Sequence, residues 1–433
     1  MHLHPELYEP PYAPRWTLYT IAPYPPATDM YHVRRSPVMR LALLLAICLS
    51  LEFTGDSFAA DIAQYPFEVS ETAGIRRRND VITLRTSKPE IVEHAGNIFL
   101  RHGSTPIVAQ ARTVEWPGEP PELVVDFIDH FQPFETREYV LEVRDLPSPP
   151  EPADGLKLTE TDAAWQIDSS GVVIWTIRKD LKGLLDFSWK GVDYIADDSD
   201  GFYVQSSDAT GHRLAERAPT QAAVERAGPL AVGLRFDYDN WPAGGRSTVK
   251  LEFPRTKSWI HATWTVAGDP AQALILGAGL NVRLDGPEAL IDFGAGDFVY
   301  ATVTNDQSAI LVAGPRDGGS IDWSVRHGTS PDLAEIFVAP RDVPTPRVHG
   351  WAHVMDDKRC TALAIARFGE SAVDSIRFDG SGRLDWQRNY SNTTGNARQL
   401  EFWLHFVTMP VHIGARTSPR SMQEPLQVRW LGD

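Results

Sequence analysis

Glu401-Phe402-Trp403-Leu404-His405-Phe406 alternates without a break. Phe402, Leu404 and Phe406 make an apolar row, and Glu401, Trp403 and His405 make a second row of another character. A period of two belongs to a strand, whose side chains leave opposite faces of the pleat. The apolar row is the core side. A large aromatic beside an acid and an imidazole is more than a solvated face needs. The same form recurs upstream. In His349-Gly350-Trp351-Ala352-His353, residues 349, 351 and 353 share a face, with two imidazoles around an indole. Trp386, Arg388 and Tyr390 alternate likewise. If these strands lie side by side, one sheet presents Trp, His, Arg, Tyr and Glu together.

Working outward, strand signals dominate from Asp80 to the end. Leu123–Ile128, Tyr139–Arg144, Gly171–Ile177, Ser258–Val266 and the hairpin Ser375–Trp386 are rich in β-branched and aromatic residues. Turn signals recur every 8–12 residues, the spacing of sandwiches and barrels. The 33 prolines and 32 glycines in 433 residues suit that pattern better than long helices. Pro147-Ser148-Pro149-Pro150-Glu151-Pro152 cannot donate to a ladder and marks a linker. The expected order is a small β domain over 62–147, a linker over 148–154 and a larger β domain over 155–430, an all-β fold class.

The N-terminus reads differently. Residues 1–38 carry no apolar periodicity and resemble a non-native extension. From Met39, Arg40 gives a positive start and Leu41–Leu49 an apolar run of nine. Ser57-Phe58-Ala59 supplies small residues at a cleavage site. Residues 39–59 therefore read as a signal peptide, which predicts a secreted or periplasmic protein. No later segment has eighteen apolar residues in a row, so no stable membrane span is expected.

Charge and motifs exclude several classes. With 41 Lys and Arg against 57 Asp and Glu, the net charge is -16, which argues against nucleic acid. Two cysteines, Cys48 and Cys360, are too few for a disulfide framework. Serine-hydrolase, P-loop and Rossmann motifs are missing. His349 and His353 have no third ligand at a metal spacing, so neither a metal nor a cofactor is expected. What remains is a sugar-like partner. Indole faces receive the C–H face of a sugar, and imidazole and carboxylate supply donors and acceptors. His349, Trp351, His353, Trp386, Arg388, Tyr390, Glu401, Trp403 and His405 are the candidate substrate-binding residues.

The order of parts resembles the exo-rhamnogalacturonan lyase-like family. The residues that carry this are Phe134-Glu135-Thr136-Arg137-Glu138-Tyr139-Val140-Leu141, Val224-Glu225-Arg226-Ala227-Gly228-Pro229-Leu230, Gly350-Trp351-Ala352-His353-Val354-Met355-Asp356-Asp357 and Phe378-Asp379-Gly380-Ser381-Gly382-Arg383-Leu384. The resemblance implies a small RIFT-type β-barrel followed by a large galactose-mutarotase-like β-sandwich. It also implies a C-terminal α/α toroid. The sequence given ends at Asp433 without one, so a partner supplying a helical domain is expected.

Three functions follow. The first is a secreted carbohydrate-binding or polysaccharide-lyase-like accessory protein acting on acidic, pectin-like polysaccharide. The second is an active lyase working by β-elimination, with His353 or Tyr390 as base and Arg388 as clamp on the uronate carboxylate. The third is a structural envelope protein with no glycan role. Solvent-facing Trp351 and Trp403 favour sugar, and buried ones favour structure.

Overall fold

The computed structural model describes residues 63–431, except 197–198, 207–210, 214–215, 240–244, 256, 268–273, 296–298, 317–319, 330–331, 339–347, 391–396 and 410–417. The proposed extension and signal peptide lie outside the described residues. Everything described is built from strands, apart from short helical turns such as Pro89–Val92 and Ser418–Gln423. The all-β expectation holds.

Two small sheets come first. Ala63–Ser70 lies between Thr136–Val143 and Gln427–Trp430, and Ile98–His102 and Thr105–Ile107 extend that sheet. Arg77–Thr86, Glu122–Phe131 and Ala109–Val114 form the other. Their inward rows enclose one core, in which Phe67 stacks on Tyr139 at 5.4 Å and Phe127 packs edge-on to Phe67. The strand Gln427–Trp430, near the C-terminal end, belongs here, and Trp430 packs against Phe67. No strand forms across the proline run.

The rest is a large β-sandwich. One sheet has nine strands, in the spatial order Gln221–Ala227, Ala231–Asp239, Arg246–Pro254, Trp259–Ala267, Ala397–Thr408, Arg359–Ile365, Val348–Met355, Glu288–Ala295 and Val299–Thr304. The facing sheet has eight strands, with Leu274–Asn281, Arg383–Asn389, Val373–Asp379 and Gln307–Pro315 at its centre. A five-stranded sheet from Leu156–Glu160 to Val192–Asp193 joins the same core, with Trp165 against Phe236 and Trp175 against Phe253. Phe402, Leu404 and Phe406 all point into this core, as their alternation requires.

The small sheets cover part of the outer face of the nine-stranded sheet, and the seam between them is polar. Gln110 is fully buried there. Its amide donates to the Asp126 carboxylate at 3.2 Å and to the Ala231 carbonyl at 3.1 Å. Its carbonyl accepts from the backbone N–H of Leu230 at 2.8 Å and of Ala231 at 3.2 Å. Such a network holds one orientation only, because each misaligned buried group would go unsatisfied.

Candidate functional site

A groove opens along this seam. Its floor is the outer row of the nine-stranded sheet. Glu252 lies opposite His261, His261 opposite Trp403, Trp403 opposite Ala364, and Ala364 opposite Trp351. In the neighbouring row, Trp259 lies opposite His405, His405 opposite Ala362, and Ala362 opposite His353. Of the residues expected on one shared face, Trp351, His353, Glu401, Trp403 and His405 do lie on the outer face of this sheet.

His261 is the centre of the arrangement. Its Nδ1 is 3.0 Å from Glu252 and its Nε2 is 2.9 Å from Glu401. Burial opposes its charge, but the two carboxylates outweigh that and raise His261 to about 9. Burial likewise pushes Glu252 and Glu401 up, yet Arg226 and His261 hold Glu252 well below the usual carboxylate range, and His261 holds Glu401 below it. The imidazolium lies flat on Trp403, with ring centres 4.7 Å apart and planes 9° apart. That is a stacked cation–π contact. Arg85 bonds Glu122 within the small sheets at 2.7 Å and reaches across the seam to Glu252 at 3.0 Å. His405 is the opposite case. Burial, with His353 and Lys257 nearby, pushes it down to about 3, so it stays neutral.

Two hollows occupy the groove and share Glu252. One, of about 260 Å³, is lined by Trp259, His261, Trp403, Arg226, Asp80 and Met422 among others. The second, of about 530 Å³, lies between Arg85, Trp116 and Glu122 on one side and Glu225, Lys250 and Thr263 on the other. A β-bulge shapes the wall. Val224 pairs with Leu234 and Arg226 with Gly233, leaving Glu225 as the extra residue. A bulge re-aims side chains, and here Glu225 and Arg226 both line the groove. Gly233 leaves room for them: a Cβ there would stand 3.2 Å from Arg226 Cγ and 3.6 Å from Glu225 Oε2.

Several expected site residues need correction. Trp386 is 0% exposed and points into the sandwich core, edge-on to Phe402. Its strand lies in the eight-stranded sheet, not beside the strand of Trp403. Arg388, on the same inner row, is buried against Asp374 with contacts of 2.8 and 2.9 Å, and also donates to the carbonyls of Ala366, Arg367 and Gln399. Its donors are engaged, so it is no clamp for a uronate. Tyr390 packs on the same core, and its hydroxyl bonds the Gln399 backbone. His353 is on the other sheet and does not converge with Arg388, while Tyr390 lies beside Arg388 with its hydroxyl already engaged.

Trp351 and Trp403 are also not solvent-facing, at 5% and 6% exposure. The Ser418–Gln423 turn lies over them, with Met422 in their cluster and Gln423 bonding the His349 and Ile365 carbonyls. Trp351 lies against Gly294, where a Cβ would meet the indole at 2.3 Å. His353 is buried, with Nδ1 2.9 Å from Asp292. His349 is exposed and lies beyond a register shift and Gly350 at φ +64, so simple alternation with His353 fails.

Sequence reading missed Trp259, His261, Glu252, Glu225 and Arg85. The alternation of Trp259, His261 and Thr263 against Ile260, Ala262 and Trp264 carried the same signal as 401–406.

Comparison with solved structures agrees on the fold. The chain is similar to a glycosyl hydrolase family 38 protein from Enterococcus faecalis, with TM-score 0.52 and 9% identity over 85% of this chain and 47% of that one. It is similar to an alpha-mannosidase from Enterococcus faecalis V583, with TM-score 0.54 and 10% identity over 85% of this chain and 46% of that one. A GalM/aldose epimerase homologue from C. elegans aligns over 59% of this chain and 99% of that chain, with TM-score 0.33 and 10% identity. The chain spans about half the length of the first two. No family model matches the chain, and no curated protein matches it.

Proposed function

We propose that this chain is an exported glycan-binding protein whose site is the groove along the seam. The observation that carries the reading is the partly exposed Trp259 beside the His261, Glu252 and Glu401 set, with the buried Trp403 behind it, opening into a hollow between the small sheets and the sandwich. Pockets at such junctions, apolar with a few convergent polar groups, are the usual form of small-ligand sites. Trp259 is the partly exposed indole and supplies the platform. The fold-level likeness to a glycosyl hydrolase family 38 protein and an alpha-mannosidase is in keeping with a sugar ligand. Neither of these is a rhamnogalacturonan lyase.

Charge narrows the glycan. Each cation of the groove already faces a carboxylate: Arg85 faces Glu122 and Glu252, Arg226 faces Asp126 and Glu252, and Lys250 faces Glu225. An acidic, pectin-like polymer would have to displace those partners, so it has the weaker support. A lyase reading has the weaker support, because the Arg388 donors are engaged inside the sandwich, His353 lies on the other sheet, and the Tyr390 hydroxyl is held by the Gln399 backbone. By the criterion of exposure, the buried Trp351 and Trp403 both favour a structural role, and the partly exposed Trp259 favours binding.

Affinity electrophoresis of the purified protein against neutral and acidic polysaccharides tests this. Retardation is expected with a neutral glycan, and Trp259→Ala should weaken it about tenfold while the circular dichroism spectrum stays the same. Unchanged migration across the whole panel would remove the glycan reading.

A further inference from the structure

We propose that Val299–Thr304, the strand at one edge of the nine-stranded sheet, is an interaction surface for a second copy of this chain, paired strand to strand. The proposal is independent of the glycan reading above.

An edge strand leaves a row of backbone N–H and C=O groups open, and proteins blunt such rows with charge, proline, bulges or brevity. Every other edge among the described sheets is blunted. Thr105–Ile107 holds Pro106, Gln221–Ala227 and Arg77–Thr86 carry register shifts, and Val192–Asp193 is very short. Gln427–Trp430, Leu156–Glu160, Gly211–Arg213, Ala334–Val338 and Ala109–Val114 each include a charged residue. Val299-Tyr300-Ala301-Thr302-Val303-Thr304 has no charge, proline or glycine, and it pairs with its neighbour without a register shift. All of it except Ala301 is β-branched or aromatic, which favours an extended strand.

The open groups can be identified. The Thr304 N–H donates to the Gln307 side chain at 3.2 Å, so it turns away from the adjoining strand Glu288–Ala295. Ladder groups alternate along a strand, so the N–H and C=O of Tyr300 and Thr302 turn the same way. Among the described residues, none outside this sheet bonds them. The side chains beside them are open too. Tyr300 is 68% exposed, and Leu290, opposite Thr302, is 37% exposed.

Symmetry and charge select the occupant. A two-fold axis at Ala301 sets Tyr300 of each copy opposite Thr302 of the other, an aromatic–β-branched pair. Residues paired in this way exchange both of their N–H···O=C bonds, which uses the open groups of Tyr300 and Thr302. Ala301 then meets its own copy at the close, non-hydrogen-bonded position, where a small side chain fits. Val299 meets Val303 on the inner face. Ala301 and Val303 are buried and Val299 packs on the sandwich core, so the two cores would run together. The whole chain carries -16, yet this seam brings no like charges into contact. A six-residue strand is short against the about 20–30 residues a side of a standard interface, so the pairing is weak, with a Kd of about 10 µM.

The test is sedimentation velocity of the purified protein from about 1 to about 200 µM, a range that brackets the expected Kd. The expected result is a monomer at the low end and a dimer at the high end. Thr302→Lys puts a charge on the exposed side of the seam and should weaken the dimer about thirtyfold, with the circular dichroism spectrum unchanged. Thr302→Pro removes an outward N–H that no ladder bond within the chain uses, so the monomer should tolerate it and the dimer should be lost. A dimer that a folded Thr302 variant leaves intact overturns the proposal, since the contact then lies elsewhere. A chain that stays monomeric across the range also overturns it, even where a synthetic peptide of the 299–304 sequence binds the edge. The occupant would then be an extended segment of another protein.

Discussion

Two strands carry the same sequence form and put it to opposite uses. Arg383–Asn389 alternates Trp386 and Arg388 with polar neighbours, and Ala397–Thr408 alternates Glu401, Trp403 and His405 with Phe402, Leu404 and Phe406. The first set faces the sandwich interior and the second faces the groove. The other half of each alternation decides this. Asp385 and Gln387 cannot both enter an apolar core, so Leu384 and Trp386 must. Phe402, Leu404 and Phe406 fill the core, so Trp403 is turned out. Mixed aromatic and charged rows therefore tell which residues share a face. The complementary row tells which face it is.

The sharpest way to break the comparison is to remove a charge from each row. Arg388→Ala should cost about 3–5 kcal/mol in urea unfolding, because it strands Asp374, which is fully buried. Arg388→Met with Asp374→Leu should recover most of the loss, since an apolar pair of similar size replaces a desolvated ion pair. If the single variant costs less than 1 kcal/mol, the inward placement of this row is wrong.

Acidity separates the rows next. His261 is held at about 9, above the ordinary histidine value. The folded state thus binds its proton more tightly than the unfolded chain does. This contribution is fully present below the unfolded value near 6.5, falls as pH rises from there to about 9, and is absent above. Its size is about 2–3 kcal/mol at most, since the side chain is a quarter exposed. For Glu252 and Glu401 the sign is reversed. Their lowered values stabilise the fold above the carboxylate range and lose effect as pH falls through it. His261→Gln should flatten the alkaline limb of the stability curve, whereas the Arg388 variants should leave its shape unchanged. An alkaline limb that survives His261→Gln would place the titration elsewhere.

Much of the fold was legible because burial enforces it residue by residue. The apolar rows at 402–406 and 139–143 and the proline run at 147–152 each follow from local chemistry. The groove was half legible. Trp403, Glu401 and His405 belong to it, but its other walls come from residues such as Arg85, Glu225 and Glu252, remote in sequence. Nothing local to Arg85 announces Glu252, which lies on another sheet. The cover over Trp351 and Trp403 was illegible for the same reason: Met422 reaches them only through the chain's return to the small sheets. Arg388 misled because an arginine on a strand looks exposed unless its carboxylate, Asp374, is known to face it.

The smallest expected effect tests how the groove row is shaped. Gly233 sits opposite the Glu225 bulge, in extended backbone where no positive φ demands glycine. Its reason is space. A Cβ at 3.2 Å from Arg226 Cγ is tight, but that neighbour is the stem of a flexible side chain. Gly233→Ala should therefore cost only about 1 kcal/mol, with relief from the lower chain entropy of the unfolded state. The shift it forces acts on Arg226, which pairs with Asp126 at 3.3 Å and Glu252 at 3.0 Å, and so links the small sheets to the sandwich. Ligand binding at the groove should fall more, about fivefold, than the stability loss alone would suggest. The core row offers no such separation. There, every loss of packing appears directly in the unfolding free energy. A Gly233→Ala variant that binds as well as the parent would show that the bulge serves folding and not the site.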